Sequence, residues 1–293
     1  MKFSILPPEK SSFDHIAVSP DGKWLAFTAA TGGKVRLWVR AFNSEEAKPL
    51  AGTEGASYPF WSPDSRFIGF FVPGKLKKIE VSGGLPVTLC DASVPTGGAG
   101  QETLLLKSNY FKFPTDWSRD GRFIIYREIN PKTKYDVWVL PVGPQNGAIS
   151  PFPFLRSEVN ETAAVLSPDG KWIAYNSDES GRYEVYVVRF PGGDGKRQVS
   201  TGGGIGPLWR GDGKELFYHA ADGKLMAAQV KVGASFEAGM PAPLFEFRAG
   251  GNVITPYYDV TSDGRRFLLS TIVEKELNAP LSVVVNWASE LKR

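Results

Sequence analysis

The sequence predicts an all-β fold, a six-bladed β-propeller of four-stranded antiparallel blades, from three observations. A turn built on Asp, usually followed by Gly, recurs six times between apolar runs, at Asp21, Asp64, Asp120, Asp169, Asp212 and Asp263, with intervals of 43, 56, 49, 43 and 51 residues. The run after each turn is short and rich in aromatic and β-branched residues, as in Trp24-Leu-Ala-Phe27, Phe67-Ile-Gly-Phe70 and Trp172-Ile-Ala-Tyr175, which suits a strand and is too short for a helix. A repeat period in the forties is the signature of propeller blades, each of which needs a neighbour to cover its apolar face.

The turn residues have a physical reason. Asp can hydrogen-bond its own turn backbone, Gly tolerates positive φ, and a Pro ahead of the Asp fixes φ and ends the preceding strand. Each repeat then reads as four strands, the first leading into the Asp turn and the second leaving it. In the fourth repeat these fall at 162–167, 171–177, 183–190 and 197–200. The blades are expected near 13–52, 57–90, 113–155, 162–200, 205–247 and 256–287, as one domain over 1–293. The last repeat has too little chain after its third strand for an outer one, and 2–6 is a β-prone run before the first repeat. The N-terminal strand is therefore expected to complete the last blade, leaving no open sheet edge. The 56-residue interval holds an irregular insertion at 91–112, in which Glu102-Thr-Leu-Leu-Leu-Lys107 reads as a second outer strand. It is expected to pair at the rim of a neighbouring blade or to replace 88–90 there, with a flexible loop as the alternative.

Length and charge narrow the function classes. The 293 residues hold 34 basic and 31 acidic side chains, interspersed, for a net charge of +3, which is no footprint for nucleic acid. Lys75, Lys77 and Lys78 read as a solvated strand face. Cys90 is the single cysteine, so no intrachain disulfide forms, and the compartment stays open. No stretch is apolar enough to span a membrane, and Pro7 and Pro8 interrupt the start where a signal peptide needs an apolar core. A monomer is expected.

The Ser-Pro-Asp-Gly turn, followed by Lys or Arg and an aromatic residue, resembles the TolB-like, WD40-like propeller repeat, and the resemblance covers nearly the whole chain. Stretches such as Lys112-Phe-Pro-Thr-Asp-Trp-Ser-Arg-Asp-Gly-Arg-Phe123, Asp178-Glu-Ser-Gly-Arg-Tyr-Glu-Val-Tyr-Val187 and Val283-Val-Val-Asn-Trp287 are similar to the propeller region C-terminal to some bacterial serine/threonine protein kinases. That resemblance implies a ligand- or protein-binding sensor module of a signalling protein, periplasmic or extracytoplasmic if it belongs to a membrane-anchored kinase. The chain has no Gly-rich loop before a strand Lys and no His-Arg-Asp catalytic loop, so kinase activity is not carried over.

Catalytic signatures are sparse. No Gly-x-Ser-x-Gly elbow occurs, and His15 and His219 are the only histidines, both in predicted strands rather than beside a nucleophile. Two His and one Cys do not make a zinc site. A hard cation such as Ca²⁺ in the central tunnel would need inner-strand oxygens, and four residues before the turn Asp only Asp116 and Asp259 are charged; an acid bonded to the backbone of the adjacent blade is the competing account. Thr201-Gly-Gly-Gly-Ile-Gly206 lacks a following Lys-Ser/Thr and reads as a crossover between blades. No cofactor is expected. The eight Trp lie on or beside strands and read as packing between sheets.

Binding is therefore expected on the loop face opposite the Asp turns, where loops stand on a rigid scaffold. The candidates are Tyr58, Tyr110, Asn160, Glu161, Arg182, Tyr183 and Tyr257, chosen because Tyr and Arg supply large, partly polar contact area. The expected occupant is a protein or peptide partner or a small ligand; the alternative is a propeller hydrolase or lactonase with a divalent cation in the tunnel.

Overall fold

The computed structural model describes residues 2–5, 7, 13–91, 112–142, 150–249, 258–271 and 281–285. Strand β1 is Lys2–Ile5. The first repeat supplies β2 (Phe13–Val18), β3 (Trp24–Thr31), β4 (Lys34–Ala41) and β5 (Ala47–Pro49), and the second β6 (Ser57–Trp61), β7 (Phe67–Val72), β8 (Lys75–Glu80) and β9 (Val87–Asp91). The third gives β10 (Lys112–Trp117), β11 (Phe123–Asn130), β12 (Lys134–Pro141) and β13 (Phe152–Leu155). The fourth gives β14 (Glu161–Leu166), β15 (Trp172–Ser177), β16 (Glu184–Arg189) and β17 (Arg197–Gln198). The fifth contains β18 (Gly204–Trp209), β19 (Glu215–Ala220), β20 (Lys224–Val232), β21 (Phe236–Ala238) and β22 (Ala242–Glu246), and the sixth β23 (Tyr258–Val260), β24 (Arg266–Ser270) and β25 (Leu281–Val285).

These strands form six antiparallel sheets among the described residues, and no helix occurs there. The first four sheets run from an inner strand outward in chain order, and the fifth does so with both β21 and β22 beside β20. The last sheet has the order β1-β25-β24-β23, with Lys2 opposite Val284 and Ile5 opposite Leu281. The N-terminal strand thus occupies the outer place that the sixth repeat lacks. In the second sheet the outer place beside β8 is held by β9; the segment 102–107 lies outside the described residues.

The turn is a clasp that the sequence motif only partly announces. Ser19 Oγ donates to Asp21 Oδ1 at 2.6 Å and accepts from Trp24 N at 2.9 Å, while Asp21 Oδ1 also accepts from Lys23 N at 3.1 Å. The same arrangement repeats at Ser62/Asp64, Ser118/Asp120 and Ser167/Asp169, and Thr261 holds Asp263 in the same way. In the fifth repeat Arg210 replaces the hydroxyl, and its guanidinium grips both Asp212 oxygens at 2.7 Å. Where five turns have Gly after the Asp, Ser65 takes φ 58°, a left-handed conformation that costs a residue with a Cβ about 1–2 kcal/mol. Its hydroxyl compensates by accepting from Asp21 N of the neighbouring turn at 3.1 Å.

Side-chain hydrogen bonds tie neighbouring inner strands in three ways. At Val18 and Leu166, each three residues before a turn Asp, the preceding sheet offers a carboxylate: Asp259 Oδ2 accepts from Val18 N at 2.6 Å, and Asp116 Oδ2 from Leu166 N at 2.7 Å. At two junctions where the residue in that position is Trp, its indole instead donates to a backbone carbonyl, Trp61 Nε1 to Ala17 O at 3.0 Å and Trp209 Nε1 to Val165 O at 3.2 Å. Between β18 and β23 the link is Tyr258 Oη donating to Gly206 O at 2.5 Å. Asp116 and Asp259 therefore act as latches between sheets, and the Asp259 latch joins the last sheet to the first. Trp24, Trp38, Trp61, Trp117, Trp138, Trp172 and Trp209 lie in strands between or beside apolar clusters, such as Trp172 and Trp209 around Phe236; Trp287 lies outside the described residues.

Two measurements probe this architecture. Ile5, 1% exposed, packs with Leu25, Phe27, Ala29 and Leu268 across the seam between first and last sheets, so Ile5→Ala is expected to cost about 2–4 kcal/mol in urea unfolding. A loss below about 1 kcal/mol would show that the seam is held elsewhere. At the strained turn, Ser65→Ala keeps the strain and loses the bond from Asp21, and is expected to destabilise by about 1 kcal/mol. Ser65→Gly trades the same bond for relief of strain and should stay within about 0.5 kcal/mol of the parent.

Candidate functional site

The entries of the first five inner strands, at the end of the axis away from the Asp turns, are irregular in a similar way. Register slips between Phe13 and Ile16, Ser57 and Phe60, Pro114 and Asp116, Thr162 and Val165, and Ile205 and Leu208. Such bulges re-aim side chains at a rim. Here they bring His15, Tyr58, Thr115, Ala163 and Gly206 together with Arg127 around a cavity of about 90 Å³ at the axis. Gly206 has φ 64°, but Tyr58 and Ala163 also have φ 50° and 51°, so the bulge holds two residues with side chains in a conformation normally left to glycine.

A continuous shelf of rings leads from this mouth. His15 and Tyr58 have ring centroids 4.0 Å apart, and Tyr58 meets Phe113 edge-on at 4.8 Å. The Arg127 guanidinium lies 4.6 Å from the Phe113 centroid, 5.5 Å from Tyr135 and 5.8 Å from Tyr58, and its Nη1 donates to Thr162 Oγ1 at 3.2 Å. Burial pushes this guanidinium down, and the phenols of Tyr58, Tyr135 and Tyr183 pull it back up. Desolvation in turn raises the Tyr58 and Tyr183 phenols. The shelf thus joins side chains of four sheets into an aromatic surface around a charged centre, which is the chemistry of interface anchors. His15 Nδ1 lies 3.0 Å from Asp14 Oδ2 and 3.3 Å from Thr28 Oγ1. His219 is buried against Phe247 at 4.5 Å, and burial lowers its imidazole.

The sequence-selected residues fall into four groups. Tyr58 lies on β6 within the shelf, not in a loop, and Tyr183 is half-buried near Arg127. Arg182 is exposed, with Nε 3.1 Å from Glu184 Oε1, and Asn160 is half-buried, with Nδ2 donating to Asp178 Oδ2 at 2.6 Å. Glu161 is 6% exposed and so turns inward from the face on which contact was expected. Tyr110 and Tyr257 lie outside the described residues. Sequence reasoning passed over Arg127, Phe113 and the environment of His15. The available signal was Arg127-Glu128 interrupting the apolar run of β11, where a charged residue in a core strand asks for partners.

Glu161 opens a second feature between the third and fourth sheets. Its Oε1 accepts from Ser157 Oγ at 2.8 Å, but Oε2 has no hydrogen-bond partner, and neither does Oδ1 of the fully buried Asp136. Asp136 Oδ2 accepts from Thr133 Oγ1 at 2.7 Å and lies 3.6 Å from Arg156 Nε. At the next crossover the corresponding acid, Glu184, is fully met: Ser200 Oγ donates to one oxygen and Gly203 N to the other at 2.9 Å. Burial, with help from the Asp136 and Glu179 charges, pushes Glu161 up to about 7. Desolvation likewise brings Asp116 and Asp259 to about 6.

These carboxyls bind protons more tightly in the folded chain than in the unfolded one, where ordinary values near 4 hold, roughly. Their contribution to stability is greatest at about pH 4 and is lost as pH rises through 6 to 7. Glu161→Gln removes one of the three titrations without removing the side chain's bulk. At pH 8 it is expected to be more stable than the parent by about 1–2 kcal/mol, allowing for solvent screening, with no advantage at pH 4.5. Equal stability of the two proteins at pH 8 in chemical denaturation would contradict this account.

No family model matches the chain. An uncharacterized protein of Agrobacterium fabrum is 22% identical over 200 residues, covering 57% of this chain and 67% of its own length. Among solved structures, TolB from Acinetobacter baumannii superposes with a TM-score of 0.66 at 13% identity, over 92% of this chain and 62% of that one. An oligogalacturonate lyase in complex with manganese gives 0.63 at 13% identity, over 97% and 93%. The β-propeller domain of Cps50 (Swd1) from Myceliophteria thermophila gives 0.57 at 13%, over 98% and 86%. At these identities the likeness concerns the fold, and it agrees with the repeat, the sheets and their closure: the chain folds as a β-propeller whose structural neighbours are TolB-like and WD40 propellers.

Proposed function

We propose that this chain is a non-catalytic binding propeller that holds a protein or peptide partner on the loop face. The observation that carries the reading is the shelf of His15, Tyr58, Phe113, Arg127 and Tyr135 at the narrow mouth, with the exposed Arg182 and half-buried Tyr183 on the same face. Rings and guanidinium groups on a rigid sheet framework give contact area at small cost in side-chain entropy, and they dominate the energetics of many interfaces. Tyr58 and Ala163, held in left-handed conformations at this mouth, add the kind of local strain that concentrates at binding sites.

A second reading, an enzyme with a divalent cation, is favoured by the likeness to a lyase solved with manganese. Against it, the described residues contain no group of three or more His, Cys, Asp or Glu side chains placed to hold a metal. His15 and His219 each pack against an aromatic ring, Tyr58 and Phe247.

The test is selection of displayed random peptides on the purified chain, followed by rebinding of the enriched peptides to an Arg182→Ala/Tyr183→Ala variant. Loss of affinity of about tenfold or more with an unchanged unfolding temperature is expected. Equal rebinding by both proteins, or no enrichment over an empty matrix, would overturn the proposed face.

A further inference from the structure

The larger opening of the axis is on the other face, among the Asp turns, where the inner strands enclose a cavity of about 650 Å³. This is within the range of small-ligand sites, roughly 300–1,000 Å³. Its wall is mixed and a little more apolar than polar: Phe60, Trp61, Trp117 and Trp209 stand among Val18, Leu166 and Leu208, with Thr115 and serines between them. Four of its lining side chains are carboxylic acids, Asp116 and Asp259 in the wall and Asp21 and Asp64 at the turns, against a single cationic group, Arg119. Arg119 is exposed at the rim and donates from Nη1 to Gly211 O at 2.7 Å. Tyr258, whose hydroxyl is committed to Gly206 O, is the remaining titratable group of the lining.

Asp116 on β10 and Asp259 on β23 belong to the third and sixth inner strands, so two inner strands separate them in either direction around the axis. Each oxygen of each carboxylate accepts one backbone N–H: Trp117 N and Leu166 N for Asp116, Val260 N and Val18 N for Asp259. A carboxylate oxygen has a second lone pair, so the latches leave acceptor capacity at the cavity wall. The Asp116 charge also acts on Asp259, which places the two acids in one electrostatic environment.

We propose that the axial cavity binds an organic cation, a primary ammonium or guanidinium group on an apolar chain, with its charge shared by Asp116 and Asp259 and its chain against the indoles. The chemistry excludes the obvious competitors. An anion meets four carboxylates. A hard metal ion needs six or more oxygens, whereas more of this wall is apolar than polar. A neutral apolar molecule fills the volume but leaves both acids uncompensated. An ammonium on an alkyl chain satisfies the acids, gains from the aromatic faces and covers the aliphatic wall.

The experiment is calorimetric titration of the full chain with hexylamine, with 1-hexanol, hexanoate and calcium chloride as comparisons and Nα-acetyl-lysine methylamide as a second amine. Hexylamine is expected to saturate the protein at pH 7.5 with affinity about tenfold or more above that of 1-hexanol. It should weaken several-fold, on the order of tenfold, at pH 5, where the two wall carboxyls are mostly protonated while the amine keeps its charge. Arg119→Ala, which leaves both latches intact, should tighten amine binding about two- to fivefold by removing the like charge at the rim. Tighter binding of the lysine derivative than of hexylamine would support the proposal and identify a peptide side chain as the source of the cation; the reverse would support it with a free amine as the source. Equal binding of hexanol, pH-independent binding, saturation by calcium in place of the amine, or no heat with about 10 mM hexylamine would each overturn it. The wild-type series decides the matter even if Asp116→Asn or Asp259→Asn weakens the ring.

Discussion

Closure of the ring is the constraint on which the rest of this molecule depends. A blade buries its faces only against two neighbours, so the first and last sheets must meet. The chain solves this by placing β1 beside β25 and by running the Asp259 carboxylate to Val18 N. Ile5 fills the apolar side of the same seam. The bulges, the latches and both axial openings exist only because the inner strands are held facing one axis.

The two ends of that axis are chemically different, and the difference follows from how the strands enter and leave. At the turn end the Ser/Thr-x-Asp clasp, with Arg210 in place of the hydroxyl in the fifth repeat, uses local hydrogen bonds to finish each hairpin within its own segment, and the wider cavity with its acids lies inside this collar. At the other end the first five inner strands begin with a bulge, which crowds aromatic residues and Arg127 around a much smaller opening. Tyr58 and Ala163 take left-handed conformations where the bulges are, and buried carboxylates bonded to backbone N–H groups lie where the latches are. Asp116 and Asp259 show why one residue can serve both architecture and chemistry: backbone N–H groups hold the carboxylates in place, and burial leaves them easy to protonate.

Much of the fold was legible because the repeat is local. The Asp turn, the strand after it and the missing outer strand of the sixth repeat are all patterns within about fifty residues, set by turn chemistry and by period-two alternation. The seam at 91–112 was visible as an irregular interval, although only the pairing of β9 with β8 settles which segment holds the outer place of that sheet. The candidate site was less legible. Tyr58 and Tyr183 were named for their chemistry, but Arg127, Phe113 and Tyr135 come from different strands and meet through sheet packing. Glu161 was read as an exposed partner residue because a strand start looks like a loop end in sequence; its neighbours Asp136 and Ser157 bury it.

The sequence by itself determined the repeat unit, the strand order within each blade, the structural role of the turn aspartates and the need for an N-terminal strand to finish the ring. Those properties are encoded in residues close together along the chain. The tertiary structure alone decided which acids latch neighbouring sheets, which are left with unmet oxygens, and which rings gather at each mouth. Those outcomes depend on contacts between repeats, where residues more than two hundred positions apart, such as Val18 and Asp259, become neighbours.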